Sequence, residues 1–285
     1  GTPMKTLHDA IKSRRSIRNY PRTELHETSL DWIEGELSPE SQFFPEASVD
    51  AFLVRKGRRL QKDLSGIIAG YGKVEAPHYL VLTSESSENG YVELGYRYEF
   101  LVLKLTTRDI GTCWIGKGFR DEELVEYVDI PSRQSCVALI ALGPLPEGER
   151  LAPIEDPKRK GLDHFLLNRV SDDLPDGTRK VIECLRRAPS ALNGQPWRVI
   201  AKTDSIHLYL KARSKLTRLA LKSLVEMNMV DSGIGLCHLE IGGRVFWDGP
   251  EVVRTNHPDP AGLKYIGSIV RNIDESRTLT TGQDI

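Results

Sequence analysis

The chain has 285 residues, of which 39% are hydrophobic and 28% charged, and its formal net charge is −1. This balance excludes a mainly disordered chain and lacks the basic excess typical of proteins that bind nucleic acid or anionic membranes. No apolar run reaches the ~18 residues that a membrane span requires. The four cysteines are far apart and include no C-x-x-C pair, which is typical of reduced thiols rather than of a disulfide framework or a zinc site. A cytoplasmic globular protein without a bound metal is therefore expected.

The first part of the chain alternates predicted helices and strands. Residues 4–13 are predicted to form a helix, because Leu7, Ala10 and Ile11 share one face. The predicted elements that follow are a short helix at 28–36, strands at 49–55 and 78–83, a long helix at 89–109, a glycine-punctuated turn at 111–118 and a buried strand at 136–142. A loop rich in Pro, Asp and Lys is then expected over 144–176.

The second part has a similar order of elements. The predicted elements are a helix at 176–187, a turn at 189–196, a strand pair at 197–202 and 206–210, a long helix at 217–241 and a last strand at 264–270. Both long helices contain an acidic residue two positions before a glycine, at Glu93–Gly95 and Asp231–Gly233. A helical glycine costs about 1 kcal/mol, so each one predicts the close approach of another backbone or a ligand. The pattern suggests an internal duplication without establishing one.

A candidate phosphate-binding segment follows the first helix. Arg14-Arg15-Ser16-Ile17-Arg18 offers three guanidinium groups and one hydroxyl within five residues. Arginine presents a planar fork of donors that matches phosphate oxygens, and serine adds a short donor. The same residues also suit a basic helix C-terminus that complements the helix dipole. The motif alone leaves both interpretations open.

Two further segments are candidates for contact with a ligand. In the segment from Ala188 to Trp197, two prolines and a glycine restrict the backbone, while Ser190, Asn193 and Gln195 offer groups that can bind the edge of a planar heterocycle. The alternative is a polar turn between a helix and a strand. In the segment 112–118, glycines would let backbone N–H groups approach a ligand, although a plain turn explains this segment equally well.

Together, the three motifs resemble those of the nitroreductase family of flavin enzymes. In that family, the A-P-S-x-x-N-x-Q-P-W segment closely follows the arginine motif, whereas Ser190 here lies far beyond Ser16. Members of the family are intertwined homodimers in which one subunit supplies the arginine motif and the other the P-S-x-x-N motif. The chain is therefore similar to a dimer fused and shortened into one polypeptide, as in the single-chain subgroup with two intertwined repeats, the TM nitroreductase type.

The resemblance implies an α+β fold, with a mixed and mostly antiparallel sheet flanked by long helices in a pseudo-dimer. It divides the chain into a first half at 4–170 and a shortened second half at 171–285, intertwined rather than independent. The second half keeps the P-S-x-x-N segment and lacks the arginine motif, so one FMN site is implied within each chain. At the related position, Phe43 and Phe44 stand where polar groups would be needed.

The resemblance also implies the residues and the chemistry of the site. The implied FMN-binding residues are Arg14, Arg15, Ser16, Arg18, Ile115, Gly116, Lys117, Lys158, Lys160, Pro189, Ser190, Ala191 and Asn193. The implied enzyme is an FMN-dependent oxidoreductase that takes a hydride from NAD(P)H and passes electrons to a nitroaromatic, quinone or similar small acceptor in a ping-pong cycle. No side chain is expected to act as a catalytic acid or base, because the flavin carries the chemistry. The alternatives are a protein that sequesters FMN with little turnover, or another flavin reaction on the same fold.

Overall fold

The computed structural model describes residues 1–38, 41–64, 74–212 and 222–271. In the first half, the elements are α1 (Met4–Ser13), α2 (Glu27–Gly35), β1 (Val49–Val54), α3 (Gly57–Asp63), β2 (His78–Glu85), α4 (Glu88–Thr107), β3 (Ile110–Gly116) and β4 (Gln134–Pro144). In the second half, they are α5 (Asp176–Arg186), β5 (Trp197–Ala201), β6 (Ser205–Lys211), α6 (Lys222–Phe246), β7 (Pro250–Val253) and β8 (Leu263–Arg271).

The two halves repeat one topology. The first four strands form a sheet in the order β1-β2-β4-β3, and the last four form a second sheet in the corresponding order β5-β6-β8-β7. Every pairing between these strands is antiparallel. Both sheets have a register shift at the same place, after Leu82 in β2 and after Leu208 in β6. The shared strand order and the shared irregularity indicate that the chain contains an internal duplication.

The long helices α4 and α6 cross at the two glycines of the repeated acid-x-Gly pattern. A Cβ atom on Gly95 would lie 2.0 Å from the carbonyl oxygen of Val230, and one on Gly233 would lie 1.9 Å from that of Val92. Any side chain at either position would overlap the facing backbone. The predicted close approach is thus confirmed as a reciprocal contact between equivalent helices.

The halves share one hydrophobic core. Its members come from α4, α6 and the facing sides of both sheets, including the fully buried Leu82, Ile140, Leu208 and Ile269. The first half also extends onto the second sheet, since Val199 N donates to the Phe165 carbonyl and Leu167 N donates to the Val199 carbonyl. A second cluster covers the opposite face of the first sheet, beneath α3. Residues from both parts of the chain thus contribute to one core and to contacts along β5.

The α+β class and the repeated halves are as predicted, and three details differ. The strands divide between two sheets rather than joining in one, with parallel pairing confined to isolated bridges such as Ser16–Thr112. The predicted turn at 111–118 is largely strand β3, because its backbone pairs along β4 up to Gly116. The short elements α3 and β7 were not predicted. Residues 217–221 of the predicted second long helix and residues 272–285 of the second half lie outside the described residues.

Candidate functional site

A cleft between the two halves brings together the arginine segment, the end of β3, the loop after α5 and the start of α6. It consists of two adjoining cavities, one of about 320 Å³ and one of about 760 Å³. Both cavities are lined by Ser16, Arg18, Pro189, Ser190 and Leu192. We call the smaller cavity the ring end and the larger one the basic end. The arginine motif and the A-P-S-x-x-N motif, far apart in sequence, therefore face the same space.

The basic end carries a strong excess of positive charge. Seven of its lining residues are Lys or Arg and one is acidic: Lys12, Arg14, Arg15, Arg18, Lys158, Arg159 and Arg187, with Asp156. Part of this charge is compensated outside the cavity, since Arg15 forms an ion pair of 2.7 Å with Glu149. Such a concentration of cations at one end of a cleft is suited to a dianionic phosphate group.

Two arginines at this end are held in an unfavourable environment. Arg14 is 7% exposed, and its Nε has no hydrogen-bond partner among the described residues. Burial lowers the pKa of Arg14, an effect that the charge of Glu99 partly offsets. Burial, followed by the neighbouring Arg14, Arg186 and Arg187, lowers the pKa of Arg159 to about 10. A bound anion would relieve both the unpaired donor and the crowding of like charges.

The loop after α5 has a strained backbone fixed by its own side chains. Leu192, Asn193 and Gln195 all have φ near +50°, a conformation that non-glycine residues rarely adopt. Gln195 N donates to the Ser190 hydroxyl at 2.9 Å, and Asn193 Nδ2 donates to the Lys158 carbonyl at 3.0 Å. Strain of this kind clusters at ligand sites. Gln195 was expected to offer its polar side chain to a heterocycle. It is buried instead, and its Nε2 donates to the Asn193 carbonyl within the loop.

The buried Asp231 of α6 anchors this loop. Its carboxylate accepts from Ala191 N at 3.0 Å and from Asn228 Nδ2 at 3.0 Å. The Trp197 indole N–H donates to the Asp231 carbonyl at 2.8 Å. Asp231 is only two residues from the helix-crossing glycine Gly233, so the loop is tied to the place where the two long helices approach most closely.

The ring end is mainly apolar. Trp114 of β3 faces Met227 and Ile234 of α6, and Gly116 lies against Met227, with its hypothetical Cβ 3.7 Å from Met227 Cγ. Lys117 brings a positive charge to this cavity, although its Nζ lies 2.5 Å from Asp121 Oδ1. A flat aromatic ring system with a polar edge suits such a cavity.

Most of the predicted site residues line the cleft, and two do not. Those that line one or both cavities are Arg14, Arg15, Ser16, Arg18, Gly116, Lys117, Lys158, Pro189, Ser190, Ala191 and Asn193. Ile115 is fully buried in the cluster on the opposite face of the first sheet, because side chains alternate along a strand. Lys160 lies outside both sets of lining residues, and its backbone N–H donates to Gln195 Oε1.

Several lining residues were not among the predicted ones. Trp114 lies inside the segment 112–118, and Arg159 lies between the predicted Lys158 and Lys160, whereas Met227 and Ile234 occupy ordinary core positions of an amphipathic helix. Asp231 belongs to the acid-x-Gly pattern, which was the available signal for it. That pattern predicted the close approach of another backbone or a ligand, and it did not predict that Asp231 anchors the loop after α5.

The equivalent position on the other side of the duplicated fold, lined by residues of both halves, has a different lining. Glu93 there takes the role of Asp231, since its carboxylate accepts from Phe43 N and Phe44 N at 2.8 and 2.5 Å. A cavity of about 540 Å³ remains beside Phe43. Three of its polar residues bond to one another, because Glu240 accepts from both the Tyr96 hydroxyl and Arg244, and Arg254 also lines it. The described residues at this second position include no counterpart of the arginine segment.

Comparison with known proteins agrees with this geometry. A family model described as "Putative TM nitroreductase" matches residues 6–243. The chain belongs to the TM nitroreductase family. Membership in this family places the protein among the oxidoreductases.

One solved structure shares the fold over nearly the whole chain, and others are similar to part of it. A protein described as a "putative nitroreductase" from Thermotoga maritima MSB8 has a TM-score of 0.63 and 20% identity, covering 96% of this chain and 97% of its own. A nitroreductase with bound FMN from Bacteroides fragilis has a TM-score of 0.44 and 20% identity, covering 53% of this nitroreductase and 95% of that chain. A "putative NADH oxidase" from Clostridium acetobutylicum has a TM-score of 0.46 and 19% identity, covering 57% of this chain and 100% of its own. No curated protein matches the sequence.

Among the helices in the described parts of the chain, none is long and apolar enough to cross a membrane.

Proposed function

We propose that this nitroreductase is an FMN-dependent oxidoreductase that transfers electrons from NAD(P)H to a small organic acceptor. The observation that carries the proposal is the pairing of an apolar ring end with a basic end in one cleft. The phosphate of FMN fits the basic end, where Arg14 Nε is buried and unpaired. Membership of the nitroreductase family and the FMN bound to the Bacteroides fragilis protein support the choice of cofactor.

The cleft suits FMN better than a dinucleotide. Its cations are concentrated in one group around Arg14 and Arg159, which matches a single terminal phosphate. The sequence contains no G-x-G-x-x-G loop placed between a strand and a helix to hold a pyrophosphate. We therefore assign Arg14, Arg159 and Lys158 to the phosphate, and the loop 189–193 to the face or edge of the ring system.

FMN, when bound, supplies the two-electron chemistry, accepting a hydride and passing electrons on to an acceptor. The residues of the chain bind and orient it. Trp114, Met227 and Ile234 exclude water from the ring end, which strengthens electrostatic interactions there. Lys117 and Arg18 provide positive charge around the same cavity, which favours a negatively charged reduced state of a bound ring.

Each chain is proposed to hold one FMN, built from both of its halves. The arginine segment is present in the first half and its partner loop in the second, and the structure brings them to one cleft. At the related position, Phe43 lies against Tyr96 with ring centroids 5.9 Å apart, and the buried carboxylate of Glu240 is already bonded to neighbouring side chains. There, Arg244 is paired with Glu240, and the described residues include no counterpart of the arginine segment.

The experiment combines identification of the cofactor with turnover. Cofactor released by heat from the purified protein should co-migrate with FMN on chromatography, and the flavin-free protein should regain a flavin spectrum with FMN. Oxidation of NADH and of NADPH is then followed with and without a nitroaromatic or a quinone. Release of FAD, or failure to bind any flavin, contradicts the cofactor. Tight binding of FMN without NAD(P)H oxidation indicates a sequestering protein instead.

A further inference from the structure

A buried carboxylate lies directly behind the ring end of the cleft. Glu99 of α4 is fully buried, and one of its oxygens accepts from the Trp114 indole N–H at 2.8 Å. Its other oxygen lies 2.8 Å from His238 Nε2 of α6. We propose that Glu99 is a positioning residue that fixes the orientation of the Trp114 indole in the wall of the ring end. His238 in turn holds the Glu99 carboxylate in place through their hydrogen bond. This inference rests on the proposed binding of FMN.

The hydrogen bonds fix one proton on His238 and require a second one between His238 and Glu99. His238 Nδ1 lies 2.9 Å from the Cys184 carbonyl, which can only accept, so Nδ1 must carry a proton. One further proton then lies between His238 Nε2 and Glu99, and either group can hold it. In both states, the second oxygen of Glu99 still accepts from Trp114. The orientation of the indole is therefore independent of where this proton resides.

This arrangement also links the two halves at the site. Trp114 and Glu99 belong to the first half, whereas His238 and Cys184 belong to the second. Indole rotation within the cavity would break the bond to Glu99, and movement of Glu99 would break the bond to His238. A buried polar group that loses its partner is costly, so the three side chains hold one another in place.

The duplication shows that the fold itself does not need these polar residues. Glu99 lies four residues after the helix-crossing Gly95, and the position four residues after Gly233 is Cys237. Trp114 pairs with Ile140 in the first sheet, and at the equivalent place in the second sheet Val252 pairs with Ile269. The fold accommodates apolar residues at both related positions. Within the described residues, Glu99 and Trp114 thus lie at the cleft that holds the arginine segment, whereas their equivalents on the other side of the duplicated fold are Cys237 and Val252.

Three variants separate positioning from simple packing. In Glu99→Gln, the amide oxygen can accept from Trp114 while its NH₂ donates to a neutral His238, so both hydrogen bonds survive without the carboxylate. Glu99→Leu removes both bonds at similar volume, and Trp114→Phe removes the indole donor together with part of the ring surface that lines the cavity. The double variant Glu99→Leu/Trp114→Phe tests whether Glu99 acts through Trp114. Thermal unfolding of each protein shows that it is folded.

The first measurement is affinity for FMN. Glu99→Leu is expected to raise the dissociation constant about tenfold, the scale of one hydrogen bond to a charged group. Glu99→Gln should recover most of that loss. The double variant should bind no more weakly than Trp114→Phe alone. If the losses of FMN affinity caused by the two single substitutions add up in the double variant, Glu99 does not act through Trp114 and the positioning role is overturned. The proposed function remains intact in that case, provided that the unchanged protein binds FMN normally.

The second measurement needs no flavin. The chain has four tryptophans, and Trp114→Phe identifies the indole ¹H–¹⁵N resonance of Trp114 in the flavin-free protein. Glu99→Gln should shift that resonance and keep its slow exchange with water, whereas Glu99→Leu should make its exchange fast. If Glu99→Leu does not fold, two results for Glu99→Gln decide the question. The Trp114 resonance should shift in Glu99→Gln, and the effect of Glu99→Gln on FMN affinity should disappear when Trp114 is also replaced by Phe. An unmoved Trp114 resonance overturns the inference, and a protein that binds no FMN overturns it together with the proposed function.

Discussion

Replacement of Arg14 by methionine should stabilise the flavin-free protein while weakening its binding of FMN. The side chain is 7% exposed, its charge is disfavoured by burial, and its Nε has no partner among the described residues. An unsatisfied buried donor costs about 1–3 kcal/mol, and methionine has similar length and no polar group. A gain of 1 kcal/mol corresponds to a rise in Tm of roughly 2–4 °C for a chain of this size class.

The same substitution removes a charge-assisted contact from the phosphate end. Such a contact is worth about 1.5–3 kcal/mol, so the dissociation constant for FMN should rise about 10- to 150-fold. Tm of the flavin-free protein and FMN affinity by fluorescence titration are measured in parallel. Arg59→Met is a matched control, because Arg59 lies on α3 with its side chain 60% exposed. A lower Tm together with unchanged FMN affinity would show that Arg14 is a structural residue, and the assignment of the basic end would be refuted.

Three further predictions concern stoichiometry, the helix crossing and acid stability. Flavin absorbance should give one FMN per chain, and binding should persist on dilution to the monomer; two flavins per chain would contradict a single intrachain site. Gly95→Val should destabilise the protein by at least about 2 kcal/mol in denaturant unfolding, because its Cβ would overlap the Val230 carbonyl, whereas Gly161→Ala meets open space and should have little effect. Burial and the adjacent His257 lower the pKa of His207 to about 4, so only the unfolded state takes up this proton between about pH 6.5 and 4. The urea midpoint should therefore fall over that range, and it should fall less in His207→Gln.

The sequence predicts much of the fold because its strongest signals are local. The long amphipathic helices and the buried strands have clear periodicity, and the glycines of α4 and α6 indicated the crossing correctly. The segment 111–118 was predicted to be a turn because glycines at both its ends suggested a break, whereas residues up to Gly116 form strand β3. Pairing with β4 outweighs that local preference, and the Gly111 backbone lies beside Ile17, where a Cβ would come within 3.1 Å.

The candidate site was predictable only as far as short motifs extend. The arginine segment and the P-S-x-x-N loop are visible in sequence, and their meeting followed from the family's dimeric architecture rather than from any spacing in the chain. Met227 and Ile234 have no distinguishing signal, since core and pocket positions on a helix face share the same period. Glu99 gave no signal either, because its partners Trp114 and His238 are distant in sequence and only tertiary structure brings them together.

The duplication allows the chain to serve as its own control for separating fold from function. An acid two residues before the crossing glycine anchors a loop in both halves, through Glu93 in one and Asp231 in the other. A feature kept at both positions belongs to the framework. Glu99 and Trp114 are matched by Cys237 at the equivalent helix position and by an apolar strand residue, although the surrounding backbone is the same. Substitution of the shared acids should therefore reduce stability first, whereas substitution of the residues found at one cleft alone should act on ligand binding first.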